Sequence, residues 1–205
     1  MRGRKFAELN ADKLLLLKTD REIWENFKAG DKFALSYVYF QHFRPMFQYG
    51  KRLKDDPEFI KDCIQDVFFK LIQAGENLSS TESIRFYLFK ALKNTILKEL
   101  NKSRKVEIVE LIPLKFDAAF SLEEELSEKE NASNKEMALL NALKGLSDRQ
   151  REIIYLRYEC GMEYDQICDI MQLKNDSARK LVYRAVKLLR EIIGDQLQIP
   201  ILLLI

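Results

Sequence analysis

The sequence predicts an all-α protein built as two small helical domains joined by an acidic linker. Three observations carry that expectation. Of 205 residues 47% are hydrophobic and 32% are charged, enough to bury one large core or two small ones beneath a soluble surface. Only 7 Gly and 4 Pro are spread along the chain, too little turn chemistry for the many short strands of a sandwich or barrel. Apolar residues recur at helical spacing in several separated segments.

The formal net charge of +2 conceals a division along the chain. Residues 1–105 hold 21 Lys+Arg against 14 Asp+Glu, residues 106–136 hold 3 against 9, and residues 137–205 hold 10 against 9. Within the last part, Lys174 to Arg190 carries 6 basic residues and the single acid Asp176. Two basic segments joined by an acidic one suit a protein that meets a polyanion at two places.

Cys63, Cys160 and Cys168 are odd in number and widely spaced, so no disulfide framework is implied and a reducing compartment fits. His42 is the only histidine and there is no Cys-x-x-Cys, which argues against a zinc site and leaves no cofactor expected. The run Leu14 to Leu17 is too short for a signal sequence, and the apolar tail Ile199 to Ile205 is far below the roughly 20 residues of a membrane span. A cytoplasmic protein without membrane insertion is expected.

In the front half, Ile23 to Leu53 reads as two or more helices, with Trp24, Phe27, Phe33, Leu35, Tyr37, Val38, Phe43, Met46 and Tyr49 as apolar positions and Gly30-Asp31 and Pro45 as interruptions. The clearest periodicity comes next, in Phe59, Ile60, Cys63, Ile64, Val67, Phe68, Leu71 and Ile72. Asp56-Pro57 and Gly75 supply the breaks at its two ends. Asp62, Gln65, Asp66, Phe69 and Lys70 lie elsewhere on that helix. From Ser83 to about Lys102 a further helix places Ile84, Leu88, Ala91, Leu92, Thr95 and Ile96 on one side. Phe86, Tyr87, Lys90, Lys93, Asn94, Leu97, Lys98 and Asn101 gather opposite. Interleaved rings and cations suit single-stranded DNA, because bases stack on rings while Lys neutralises phosphates. Packing of Phe86 and Tyr87 on a neighbouring helix is the competing explanation, and for helical aromatics the commoner one.

In the back half, Ser147 and Gln150 stand at capping-box spacing before Ile153, Ile154, Leu156 and Tyr158, and Gly161 closes that helix. A short helix from about Glu163 to Met171 offers Tyr164, Ile167, Cys168, Ile170 and Met171 to the core. A turn, Gln172 to Asn175, leads to a third helix beginning near Asp176. Short helix, brief turn and long basic helix is the helix-turn-helix arrangement. The third helix divides into Ala178, Leu181, Val182, Ala185, Val186, Leu188, Leu189, Ile192 and Ile193 on one arc, and Ser177, Arg179, Lys180, Tyr183, Arg184, Lys187, Arg190 and Glu191 on the other. A basic face is often simply solvated. On the second helix of a helix-turn-helix it suits a major groove.

These residues resemble the extracytoplasmic-function (ECF) class of bacterial RNA polymerase sigma factors. DCIQDVFFKLI, Asp62 to Ile72, resembles the family's polymerase-binding helix in region 2, and SIRFYLFKALKNTILKELNK, Ser83 to Lys102, its promoter-melting helix. Asn94 falls where the family usually has Asn. LSDRQREIIYLRYECGMEYDQICDIMQL followed by KNDSARKLVYRAVKLLRE resembles region 4, whose last helix reads the upstream promoter element. Three positions depart from the family pattern: Glu163 stands where Ser or Thr is frequent, Gln172 where a turn Gly is frequent, and Asn175 where an apolar residue is frequent. The 31 residues from Val106 to Glu136 are too few for the extra domain of larger sigma factors.

The resemblance implies a region 2 domain over 20–105, an acidic linker over 106–136, a region 4 domain over 137–194 and an apolar tail over 195–205. It implies core RNA polymerase as partner, met through Asp62, Gln65, Asp66 and Phe69. It implies promoter DNA as the second partner: Lys174, Ser177, Arg179, Lys180, Tyr183, Arg184 and Lys187 for the upstream element, and Phe86, Tyr87, Lys90, Lys93, Asn94 and Lys98 for the melted one. The loop Glu76 to Glu82 would cradle a flipped base, the linker would mimic RNA or act as a solvated tether, and an anti-sigma factor is an expected regulator. No catalytic constellation is present, so no enzymatic activity is expected. Two other classes fit the residues less fully: an ordinary helix-turn-helix regulator, and a helical interaction module whose basic faces meet an acidic protein.

Overall fold

The computed structural model describes residues 18–103, 116 and 141–193. Most of the acidic stretch 106–136 and the tail 195–205 lie outside them. The chain divides into two compact units, one of residues 1–51 and 56–112, the other of residues 52–55 and 113–205. Among the described residues every regular element is helical.

Among the described residues the first unit is built on four α-helices and a short 3-10 turn at Gly75–Asn77. In α1 (Asp20–Lys28), the Thr19 backbone N–H donates to Glu22 Oε2 at 2.8 Å, and Thr19 Oγ1 accepts from the Glu22 N–H at 3.3 Å. This reciprocal cap satisfies donors that the first turn of a helix otherwise leaves bare, and it holds the Glu22 carboxyl below the usual carboxylate range. Gly30, at φ 80°, turns the chain, and Asp31 Oδ1 accepts from Phe33 N at 2.7 Å and Ala34 N at 3.1 Å to start α2 (Lys32–Leu53). Pro45, expected as an interruption, sits inside α2. The lost N–H is outweighed by burial of Val38, Met46 and Tyr49, all fully buried, along the same helix.

α3 (Pro57–Ala74) begins where Asp56 Oδ1 accepts from Phe59 N at 3.2 Å, with Pro57 in the first turn, and ends at Gly75, φ 48°. Ile60, Cys63, Ile64, Val67, Phe68 and Leu71 are buried. Ile72 is a correction: its side chain is 51% exposed, on the flank of the helix rather than in the core. α4 (Ile84–Ser103) packs along α3. Its fully buried residues include Ile84, Leu88, Leu92 and Ile96, together with Phe89, whose ring stacks on Tyr49 at 4.8 Å. Phe33 and Phe40 of α2 are exposed, so Phe33 does not join the core.

The second unit contains the helix-turn-helix. α5 (Asp148–Ile154) opens with the expected capping box: the Ser147 N–H donates to Gln150 Oε1 at 2.9 Å, and Ser147 Oγ accepts from Gln150 N at 3.4 Å. The helix continues as a π-turn, Tyr155–Glu159, in which Cys160 N donates to Tyr155 O at 3.0 Å and Met162 N to Leu156 O at 3.0 Å. α6 (Tyr164–Met171) comes after Gly161, φ 66°, with Glu163 as its N-cap residue. Gln172 then adopts the left-handed conformation, φ 51° and ψ 54°, and α7 (Asn175–Ile193) starts one residue earlier than expected. Ile167 and Ile170 of α6 and Ala178, Val182, Ala185 and Leu189 of α7 are buried, with Ile153 and Leu156 beneath them. Tyr164 and Cys168 are only partly buried, and Ile192 is 45% exposed, so all three depart from the expected core. Phe116 is buried against Tyr155, ring centroids 5.6 Å apart.

Candidate nucleic-acid and protein interfaces

The amphipathic pattern of α7 decides what that helix can touch. Because Ala178, Val182, Ala185 and Leu189 face the core, the opposite arc stands in solvent, and Lys174, Ser177, Arg179, Lys180, Tyr183, Arg184 and Lys187 are all exposed. Tyr183 is exposed to 70%, a large ring with no core to fill. Lys187 Nζ lies 3.8 Å from Glu191 Oε1, a surface pair of little energetic weight. Arg179 is the most constrained of the set. Its Nε donates to Asn175 Oδ1 at 2.8 Å, and its guanidinium lies 4.6 Å from the Tyr164 ring centroid. Asn175 Nδ2 in turn donates to Asp165 Oδ1 at 2.9 Å, linking the start of α7 to α6. The sequence pattern does not single out Tyr164, Asp165 and Asn175 as site residues, because nothing in helical spacing reveals a contact across the turn.

On α4 the residues expected on one face do not all share it. Asn94 and Lys98 are exposed, and Phe86, Tyr87 and Lys90 are half-buried. Lys90 Nζ stands 5.6 Å from the Phe86 centroid, the interleaving of cation and ring expected from the sequence. Lys93 is only 9% exposed, so its side chain lies at the core margin and not on the open face. The buried arc of α4 is about half the helix circumference, and Lys93 falls at its edge beside Phe89. Tyr87 leans on Trp24, ring centroids 4.8 Å apart at 48°.

The loop 76–82 between α3 and α4 is held by α1 at several points. Trp24 Nε1 donates to Ser79 O at 2.9 Å, Ser80 Oγ donates to Glu25 Oε1 at 2.7 Å, and Arg21 pairs with Glu82 at 3.0 Å. Asp20 Oδ2 accepts from Ile84 N at 2.9 Å, capping α4 from another helix. The hydroxyl of Ser80 and the ammonium of Lys28 hold the Glu25 carboxyl below the ordinary carboxylate range.

α3 presents a third surface. Its apolar stripe is committed to the core, which leaves Asp62, Gln65, Asp66 and Phe69 exposed together at positions one turn apart. Phe69 is 62% exposed and Ile72 beside it 51%. Apolar side chains rimmed by acids mark a surface suited to a protein partner. Asp66 Oδ2 lies 3.7 Å from Lys70 Nζ, an exposed pair of little energetic weight at the border of the patch. Among the described residues no helix is long and apolar enough to cross a membrane.

Comparison with known proteins fits both units. Residues 38–106 match the Sigma-70 region 2 family, and residues 136–189 match the Sigma-70, region 4 family. The two segments together take in more than half of the chain, in the order region 2 then region 4. The chain is 25% identical over 148 residues to RNA polymerase sigma factor SigV of Bacillus subtilis, covering 72% of this chain and 81% of that protein. It is 23% identical over 163 residues to ECF RNA polymerase sigma factor SigL of Mycobacterium tuberculosis, covering 79% of this chain and 90% of the relative. With a helix-turn-helix ending in an exposed basic helix, a helical unit bearing an acidic and apolar patch, and both family segments in order, the chain belongs to the extracytoplasmic-function family of RNA polymerase sigma factors, which direct core polymerase to promoters and initiate transcription.

Proposed function

We propose that the three exposed surfaces divide the work of a sigma factor among themselves. The α7 face, through Lys174, Ser177, Arg179, Lys180, Tyr183, Arg184 and Lys187, enters the major groove of the upstream promoter element. The α4 face, through Phe86, Tyr87, Lys90, Asn94 and Lys98, holds the unwound strand, and the loop 76–82 accepts a displaced base. Asp62, Gln65, Asp66 and Phe69 of α3 dock on the polymerase. The chain carries out no chemistry itself, works in the cytoplasm, and is held in check by an anti-sigma factor. On this reading residues 20–105 and 137–194 are the two functional domains, 106–136 a linker and 195–205 an apolar tail.

The observation that carries the polymerase assignment is the α3 surface. The core of the unit is satisfied by Ile60, Cys63, Ile64, Val67, Phe68 and Leu71 without the four exposed residues. An ordinary helix-turn-helix regulator would not need this surface to fold or to bind DNA. Asp62→Lys combined with Asp66→Lys sets like charges against a basic docking surface, where each juxtaposition costs several kcal/mol. Surface changes of this kind move stability by less than about 0.5 kcal/mol. The expected result is loss of co-purification with core polymerase and of promoter-dependent transcription with an unchanged thermal melt. Equal co-purification of parent and variant would remove α3 from the interface.

A further inference from the structure

We propose that Arg179 determines specificity within the α7 face by recognising a guanine of the upstream element, and that Tyr164 and Asn175 are positioning residues that orient its guanidinium before DNA arrives. The proposal rests on the assignment of α7 to the major groove and goes beyond it by naming the base and the residues behind the choice.

The argument begins with what distinguishes Arg179 from its neighbours. Arginine recognises guanine through two parallel N–H groups directed at O6 and N7, and that fork discriminates only if its plane is correctly set. A free arginine loses rotamer entropy to reach one geometry, and prior ordering removes that cost from binding. Arg179 is ordered from two directions. Nε is committed to Asn175 Oδ1 at 2.8 Å, and the plane rests 4.6 Å from the Tyr164 ring centroid. The Asn175 amide cannot flip without losing its own 2.9 Å bond to Asp165 Oδ1, so its oxygen stays directed at Arg179. Tyr164 is itself steadied, because the Arg157 guanidinium lies 5.1 Å from the same ring while donating to Met162 O at 2.8 Å and Glu163 Oε2 at 3.1 Å.

With Nε occupied, the two Nη groups remain as the outward fork, and among the described residues they make no hydrogen bond. Arg179 lies near the N-terminal end of α7, the part of a recognition helix that meets base edges. Lys180 and Arg184 share the exposed face but have no such support among the described residues, which suits sequence-independent phosphate contact.

The test uses the full chain assembled with core polymerase and a promoter library randomised across the upstream element, with bound DNA sequenced. The parent should prefer guanine at one base pair by about tenfold or more. Arg179→Ala should abolish that preference at that base pair alone, and Arg179→Lys should not restore it because an ammonium has no fork. Tyr164→Phe should keep the preference, whereas Tyr164→Leu and Asn175→Ala should each reduce it several-fold while melting temperature and the salt dependence of binding stay at parent values. If Arg179→Ala weakens binding to every sequence equally, the arginine is a phosphate contact and the proposal fails while α7 keeps its place in the groove. If Tyr164→Leu leaves the guanine preference intact, the positioning role fails. A parent without any upstream preference would instead overturn the assignment of α7 itself.

Discussion

The ring of Tyr87 leans on the indole of Trp24, centroids 4.8 Å apart, while the same indole donates its N–H to Ser79 O at 2.9 Å. The tyrosine placed on the strand-holding face is therefore also part of the packing of α1 on α4. Replacing it by Ala should cost about 1–3 kcal/mol of stability, since a half-buried ring loses fewer contacts than a core one. Asn94 is exposed, and Asn94→Ala should move stability by less than about 0.5 kcal/mol. Thermal melts of the two variants should separate in this way. Permanganate reactivity of promoter thymines should fall for Asn94→Ala although closed complexes form normally, so that variant and not Tyr87→Ala reports on opening alone.

His42 is the only histidine, half-buried in α2, and desolvation lowers its pKa from 6.5 to about 4, with Asp20 opposing and Arg85 reinforcing the shift. Among the described residues its buried Nδ1 has no hydrogen-bond partner. The unfolded chain therefore binds a proton below pH 6.5 that the folded chain refuses until about pH 4. Stability from this group is fully present above pH 6.5 and declines as pH falls towards 4, by up to about 3 kcal/mol. Denaturant unfolding across that window should show the loss, and His42→Phe should flatten it relative to the parent.

Gly50 of α2 faces Ile60 of α3 so closely that a Cβ at Gly50 would stand 2.6 Å from Ile60 Cγ2 and 3.2 Å from Cδ1. Ala is the better helix former by about 0.5–1 kcal/mol, yet overpacking costs about 1–3 kcal/mol. Gly50→Ala should therefore lower the melting temperature. In an Ile60→Ala background the same change should cost less or become favourable, and a double-mutant cycle measures the coupling.

Gln172 occupies the left-handed turn between α6 and α7, a conformation that costs a side-chain-bearing residue about 1–2 kcal/mol. Gln172→Gly relieves that strain and gives back about 0.5–1 kcal/mol through a more flexible unfolded chain. The net expectation is a gain of up to about 1 kcal/mol, read as a rise in melting temperature with upstream binding unchanged.

Much of this was legible in the residues themselves. Helix ends set by local chemistry could be read directly: Asp56-Pro57 and Gly75 bound α3, and Ser147 with Gln150 opens α5. The exposed arc of α7 was legible for the same reason, since a narrow core stripe on a helix of many basic residues leaves one division of faces. What escaped depends on partners distant in sequence. Helical phase alone could not reveal that α4 is buried over so wide an arc that it takes in Phe89 and Lys93, because Phe89 is fixed by Tyr49 some forty residues earlier. Pro45 misled for the complementary reason, as local propensity gave way to the packing of the residues around it. The residues behind Arg179 lie across a turn, where spacing along one helix carries no information.

The π-turn at Tyr155–Glu159 limits which changes of length the second unit can accept. A π-turn holds one residue more than the α-helical path requires, so deletion of a single residue there would let the helix close in ordinary i to i+4 register. The flanking part of α5 would keep its phase, because the wider turn is what absorbs the additional residue, and Ile153 would stay in the core. Only the side chains inside the turn would shift, and Arg157 would lose its place beside Met162 O and the Tyr164 ring. Elsewhere in these helices a one-residue deletion turns one flank by about 100° against the core, so an aligned set of functional variants should place any single-residue gap of this unit's helices between 155 and 159.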